Sequence, residues 1–160
     1  MTTALVRNRV KAGKGFSLLE LVLVLGILMA LAAVGIPRYG ASAARYRADL
    51  VAQRLVADLR LARGHAKATS ASQSVEFDVS LNQYTLPNLD PLDPHLANYT
   101  VKPSEQPYRA VLTAAVFGND DVVIFDGWGV PDSGGSVTLQ CGSEQRTVVL
   151  DGLTGEAKVQ

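Results

Sequence analysis

The chain has 160 residues, a formal net charge of zero and a single cysteine, which excludes an intrachain disulfide. The zero charge conceals an uneven distribution, because residues 38–67 carry seven basic and two acidic side chains, whereas residues 68–160 carry four basic and twelve acidic ones. The acidic C-terminal part lacks the clustered Lys and Arg that DNA binding requires, so no nucleic-acid partner is expected.

The first 36 residues combine a basic leader with a long apolar run. Residues 1–15 contain four basic side chains and no acidic one, and residues 16–36 are apolar except for Ser17 and Glu20. A helix of this length spans about 30 Å of hydrocarbon. The positive-inside rule keeps the leader in the cytoplasm and places the rest of the chain across the membrane. A buried core helix is the alternative, but a domain this small has little room for a helix that is apolar on all faces.

Gly15 is the predicted processing site. An ordinary secretory signal peptide has a shorter apolar region that ends at a small-x-small cleavage site, and the alanines suited to such a site lie beyond Pro37. A site at Gly15 keeps the apolar helix in the mature protein. Glycine suits cleavage because a residue without a side chain lets a protease approach the backbone closely.

Glu20 is a carboxylate one turn into the predicted membrane helix. A lone carboxylate in hydrocarbon costs several kcal/mol or takes up a proton. Cleavage after Gly15 would create a positive amine on Phe16, four residues earlier. The amine of the same or a neighbouring subunit could neutralise Glu20, and an intersubunit pair would fix the register of packed helices. The alternative is that Glu20 snorkels at the headgroup level.

Residues 15–21, Gly-Phe-Ser-Leu-Leu-Glu-Leu, resemble the class III signal of type IV pilins and of the pseudopilins of type II secretion. The resemblance implies that a prepilin peptidase cuts between Gly15 and Phe16 and methylates the amine of Phe16. It also implies that Glu20 is the family's assembly glutamate. Pro37 falls on the family's helix-kinking proline, where the missing N–H removes one helical hydrogen bond.

The helical pattern continues through residues 37–69 as an amphipathic segment. Ala, Leu and Arg favour helix there, and a polar run at residues 69–73 ends it. One set of apolar side chains recurs at helical spacing and is expected to face a sheet. The set is Val51, Leu55, Leu59, Ala62 and Ala66.

Residues 70–160 read as short strands and turns. Strands are predicted at residues 74–80, 84–86, 98–101, 109–117, 122–125, 136–140, 147–150 and 157–159. One long helix followed by antiparallel strands predicts an α+β, pilin-like fold with a periplasmic β-rich head. Cys141 is expected to be buried beside a strand, and Trp128 is expected to pack against the sheet from the turn at residues 127–129.

This second half resembles the H-type minor pseudopilins, through its strand number and its Gly-rich ending at residues 152–159. Asn88, Asp90 and Asp93 do not have the spacing of a calcium loop, so no metal or other cofactor is expected. The resemblance implies three kinds of partner: the prepilin peptidase, other major and minor pseudopilins, and the inner-membrane assembly platform.

The predicted function is structural. His65 and His95 have no nucleophile motif or metal-ligand spacing nearby, so an enzyme is not expected. The sequence predicts a minor pseudopilin of type II secretion, single-pass in the bacterial inner membrane. The alternatives are a minor pilin of a type IV pilus and, less favoured, a DNA-uptake pilin.

Overall fold

A computed structural model describes residues 15–90 and 98–160, except for the side chains of residues 34–39. The basic leader up to residue 14 and the loop residues Asp93 and His95 therefore lie outside the described residues. The chain divides into two compact units, residues 1–38 and 39–160. The first contains the apolar segment and the second contains the head.

Helix α1 spans Leu18–Thr69. Its end follows from local chemistry. The Thr69 hydroxyl donates to the carbonyl of His65 at 2.8 Å, and Ser70 adopts a left-handed backbone with φ of 51°. The Ala71 N–H then reaches back to the carbonyl of Ala66 at 3.3 Å, which satisfies a group that the helix end leaves open. The predicted helix end is confirmed.

Among the described residues, eight strands follow the helix, and they pair antiparallel. They are β1 (Gln73–Asp78), β2 (Gln83–Leu86), β3 (Tyr99–Val101), β4 (Val111–Phe117), β5 (Val122–Phe125), β6 (Gly135–Cys141), β7 (Glu144–Leu150) and β8 (Ala157–Val159). The fold is α+β, and each predicted strand is found with shifts of up to three residues at its ends.

The strands form two sheets, where the sequence predicted one. The first sheet has the order β3-β2-β1-β5 and the second has the order β4-β6-β7-β8. The division arises because β5 does not pair with the preceding β4 but returns to β1, with Val75 opposite Val123. Strand periodicity predicts which residues extend and which face is apolar, but it does not select the pairing partner.

The core of the head lies between the helix and both sheets. The predicted helix face is confirmed, because Val51, Leu55, Leu59, Ala62 and Ala66 are all buried. Apolar side chains from the strands of both sheets complete this core. Phe77 of the first sheet stacks on Phe117 of the second, with ring centroids 5.3 Å apart.

Two predictions about apolar side chains differ from the structure. Val79 lies within the strand predicted at residues 74–80, but it is exposed because the strand ends at Asp78. The Asp78 carboxylate accepts the Leu81 N–H at 2.9 Å and closes a turn. Trp128 was expected to pack against the sheet, but it is 84% exposed. The carboxylate of Asp126 accepts the N–H groups of Trp128 and Val130, and this turn directs the indole outward.

Candidate assembly site

The N-terminal unit presents a continuous apolar surface. All residues from Phe16 to Ala33 are exposed, and Phe16 itself is 83% exposed. Leu, Val and Ile predominate in this stretch, and apolar patches of such extent mark protein–protein or membrane contacts.

Three of the predicted site residues, Gly15, Phe16 and Glu20, lie together at the start of the described part of this unit. Gly15, Phe16 and Ser17 precede the helix, and a side chain built on Gly15 would meet no atom within 4 Å. The carbonyl of Ser17 accepts the N–H of Leu21 at 3.1 Å, which begins the helix. Glu20 lies in the first turn of α1, where a negative charge is favoured by the helix dipole.

No helix among the described residues is long and apolar enough to cross a membrane.

Pro37 lies within the bounds of α1, but its side chain belongs to the residues that the structure does not describe. The kink that the sequence predicts at this position stays a prediction.

The head contains a buried polar cluster that sequence reasoning missed. The carboxylate of Asp58, only 4% exposed, accepts hydrogen bonds from the Tyr84 hydroxyl at 2.6 Å and the Tyr99 hydroxyl at 2.9 Å. It also accepts one from Arg54 Nε at 2.9 Å, and the guanidinium of Arg54 contacts the Tyr99 hydroxyl. This cluster joins α1 to strands β2 and β3.

The cluster is electrostatically coupled. Burial, together with the adjacent Asp58 carboxylate, raises the pKa of Tyr99 to about 12 and raises the pKa of Tyr84 well above its usual value. Burial opposes the charge on Arg54, but the hydrogen bond that Arg54 donates to Asp58 and the attraction of that carboxylate together outweigh burial and raise the pKa of Arg54. Both tyrosines are therefore held as neutral donors to one carboxylate.

A signal for this cluster was present in the sequence. Asp58 lies seven residues after Val51 and four before Ala62, so it falls on the apolar face of the helix. A carboxylate on that face has to find donors inside the head. The sequence could not say that Tyr84 and Tyr99 would supply them.

Two further ion pairs join α1 to the second sheet. Arg146 Nε lies 2.6 Å from Asp49, and Arg45 Nε lies 3.1 Å from Glu144. Both contacts lie within one chain, and they join the basic helix to the acidic C-terminal part that the sequence distinguishes.

The remaining candidates from the sequence form no site. In the part of the chain that the structure describes, no group of three His, Cys, Asp or Glu residues could hold a metal ion. Cys141 is buried as predicted, and burial raises the pKa of its thiol although Arg47 acts in the opposite direction. His65 is partly buried at the end of α1, and its Nδ1 has no hydrogen-bond partner among the described residues.

Comparison with known proteins defines the class. The minor pseudopilin EpsH from the type 2 secretion system of Vibrio cholerae has a similar structure, with a TM-score of 0.51 and 14% sequence identity. The match covers 71% of this chain and 96% of the EpsH chain, so the two share the same fold. No curated protein sequence matches this chain.

The sequence also matches the family described as type II transport protein GspH over residues 51–154. The chain belongs to this family. The prediction of a minor pseudopilin of type II secretion is thereby confirmed, and the family favours that machine over the type IV pilus. The matched region contains the Asp58 cluster and strands β1 to β7, and it ends before β8.

Proposed function

We propose that this minor pseudopilin is anchored in the inner membrane by residues 16–36 and then drawn through that segment into a short periplasmic fibre. The observation that carries the proposal is that every residue from Phe16 to Ala33 is exposed, in a chain of the GspH family. Such a surface needs lipid before assembly and neighbouring apolar helices after it. The head of residues 70–160 faces the periplasm.

In this proposal a prepilin peptidase cuts between Gly15 and Phe16 and methylates the new N-terminus. The position of Gly15 supports it, because this residue precedes the helix and has open space on its side-chain face. The positive-inside rule places the site on the cytoplasmic side. The partners are that peptidase, other pseudopilins and the inner-membrane assembly platform.

Gly15→Ala is the direct test of processing. We expect this variant to accumulate as the uncut precursor in membranes that contain the peptidase, because a side chain at this position obstructs close approach to the backbone. The measurement is the intact mass of the protein purified from those membranes. Gly26→Ala is the matched control, since Gly26 also has open space around it and lies inside the helix. A mature mass for Gly15→Ala would contradict the proposed site.

Glu20→Ala tests the assembly role separately. Cleavage should proceed normally, whereas recovery of partner pseudopilins with the tagged variant should fall at least about tenfold, because an amine in the fibre loses its carboxylate. Ser17→Ala removes a polar group one turn earlier and should leave recovery unchanged. Normal recovery for Glu20→Ala would show that the carboxylate has no part in docking.

A further inference from the structure

Exposed sheet edges are where another chain can add a strand, and the head closes two of its edges itself. At the edge strand β5, the N–H of Ile124 donates to the Asp132 carboxylate at 3.0 Å, and the carbonyl of Ile124 accepts the Asp132 N–H at 2.9 Å. The segment after β5 therefore occupies the free side of that strand.

The edge strand β4 is closed differently. The Asn82 side chain accepts the Leu112 N–H at 2.6 Å and donates to the carbonyl of Ala110 at 3.1 Å. The register of β4 against β6 then shifts between Leu112 and Ala114, which bends the strand. Both devices obstruct pairing with a further strand.

In the described part of the chain, no such contact closes the edge strand β8. The N–H of Gln160 donates to the carbonyl of Thr147 at 2.8 Å, and the carbonyl of Glu156 accepts the N–H of Asp151 at 3.0 Å. Residues 156, 158 and 160 therefore direct their backbone groups toward β7. Because backbone direction alternates along a strand, Ala157 and Val159 direct their N–H and C=O groups away from β7. Those groups face the free edge of the sheet.

That free edge opens into a groove of about 600 Å³. One wall is β8, from Ala157 to Val159, and the other is α1, with Gln53, Val56 and Arg60. Val56 and Ala157 are buried and give an apolar floor.

The groove also carries positive charge. Lys158 lies 3.2 Å from Glu156, so its charge is partly balanced, whereas Arg60 forms no ion pair with any other described residue. A segment bound in the groove would therefore place a carboxylate beside Arg60.

We propose that this groove binds an extended, carboxylate-bearing segment of a different protein, which adds to the second sheet as a strand beside β8. A second copy of this chain cannot supply that segment from its described strands. The acidic residues of those strands lie in β1 and β7, and each of these strands is already paired on both sides. The surface is distinct from the N-terminal segment and goes beyond the proposed function.

Site-specific photo-crosslinking tests the proposal. The full-length chain carries a photoreactive amino acid in place of Gln53, in membranes of cells that produce the whole secretion machinery. We expect one predominant crosslinked protein, and the crosslinked peptide should be an extended segment that contains Asp or Glu. The same amino acid in place of Ser143, an exposed residue outside the groove, is the control and should not crosslink to that peptide.

Two variants then examine the mode of binding. Val159→Pro removes one N–H from the free edge and leaves the pairing of β8 with β7 intact, so crosslinking at Gln53 should fall about fivefold to tenfold with an unchanged unfolding temperature. Arg60→Glu leaves the backbone untouched and should weaken crosslinking by a similar factor. Lys102→Glu makes the same charge change outside the groove and should have no effect.

Four results would overturn the proposal: crosslinking no stronger than at Ser143, a helical crosslinked segment, a second copy of this chain as the crosslinked protein, or crosslinking that neither groove variant weakens. The mature N-terminal mass and the recovery of partner pseudopilins through Glu20 are measured in the same membranes. Failure at the groove is thereby distinguished from failure of the N-terminal proposal.

Discussion

At the scale of single residues, Asp58 is the side chain that links the helix most closely to the first sheet. Its carboxylate accepts hydrogen bonds from two tyrosines and one arginine while 4% exposed. A buried charge is tolerated only when it is paired and hydrogen-bonded, and here all its partners come from this chain. The position of α1 against β2 and β3 is therefore specified by polar geometry as well as by apolar packing.

Asp58→Ala should destabilise the head strongly. The change leaves Arg54 and two tyrosine hydroxyls without their acceptor, and breaking a buried pair of this kind costs about 3 kcal/mol. Chemical unfolding of the full-length chain in detergent, followed by circular dichroism, measures the loss. Asp49→Ala is the matched control, because it removes a half-exposed pair from the same helix and should cost less than about 1 kcal/mol. Equal losses would show that the buried cluster contributes no more to stability than the half-exposed pair does.

The same cluster predicts a loss of stability at alkaline pH. The pKa of Tyr99 is raised to about 12 in the folded head, and that of Tyr84 is also raised, whereas an unfolded tyrosine titrates near pH 10. Between these values the unfolded chain releases protons that the folded chain retains, so the free energy of unfolding falls as pH rises. The stabilisation is complete below about pH 10 and is lost toward pH 12.

Tyr99→Phe isolates this contribution. The variant should be less stable than the unmodified chain near neutral pH, because Asp58 loses a donor, but its stability should fall less steeply between about pH 10 and pH 12. Urea unfolding at several pH values, followed by circular dichroism, provides the comparison. Parallel pH profiles for the two proteins would contradict the assignment.

At the scale of elements, the turns between strands set how the second sheet meets the helix. Gly155 adopts a φ of 65° in the turn between β7 and β8, and a side chain there would come within 2.9 Å of the carbonyl oxygen of Gly129. The same carbonyl accepts a hydrogen bond from Arg63 on α1 at 3.1 Å. The turn at Gly155, the turn at Gly129 and the last part of α1 therefore pack closely together around the Gly129 carbonyl.

Gly155→Ala should destabilise the head more than Gly142→Ala does. Both residues have a positive φ, so both substitutions cost about 1 kcal/mol of backbone strain. A side chain at Gly142 would meet its nearest neighbour at 3.8 Å, which is ordinary contact. A side chain at Gly155 would also displace the backbone at Gly129. Thermal unfolding of the two variants measures the difference, and equal melting temperatures would exclude a packing role for Gly155.

At the scale of the whole molecule, the head depends on side chains that join its two sheets. Asn82 lies in the turn between β1 and β2 of the first sheet, with a φ of 52°, and bonds to both ends of the Ala110–Leu112 backbone beside the second. Its amide provides one acceptor and one donor at the correct spacing, and asparagine tolerates the left-handed backbone better than most residues. One residue thereby shapes a turn and closes an edge.

Asn82→Gly should cost about 1–2 kcal/mol, because the backbone is still accommodated but both hydrogen bonds are lost. Asn82→Asp retains the acceptor for Leu112 and should lie between the glycine variant and the unmodified chain. Denaturant unfolding of the full chain orders the three proteins. If Asn82→Gly is as stable as the unmodified protein, the two bonds do not hold the sheets together.

Local patterns in the sequence were sufficient to predict the helix and the strands. Helical spacing from Val51 to Ala66 predicted the buried face, and alternation bounded by turn residues predicted all eight strands. The segment from Gly15 to Leu21 resembles the signal shared by type IV pilins and pseudopilins, and the family match over residues 51–154 independently favours the pseudopilins. Each of these signals depends on neighbours within a few positions, so one sequence can carry it.

Only the tertiary structure decided which elements meet. The return of β5 to β1, the convergence of Tyr84 and Tyr99 on Asp58, and the open edge of β8 beside Arg60 all join residues far apart in the chain. Trp128 shows the same limit, since an apolar residue after a strand was expected inside and is exposed. The sequence by itself determined periodicity, helix and strand content, and the class of protein. Pairing and closure depend on long-range packing, which a local pattern does not specify.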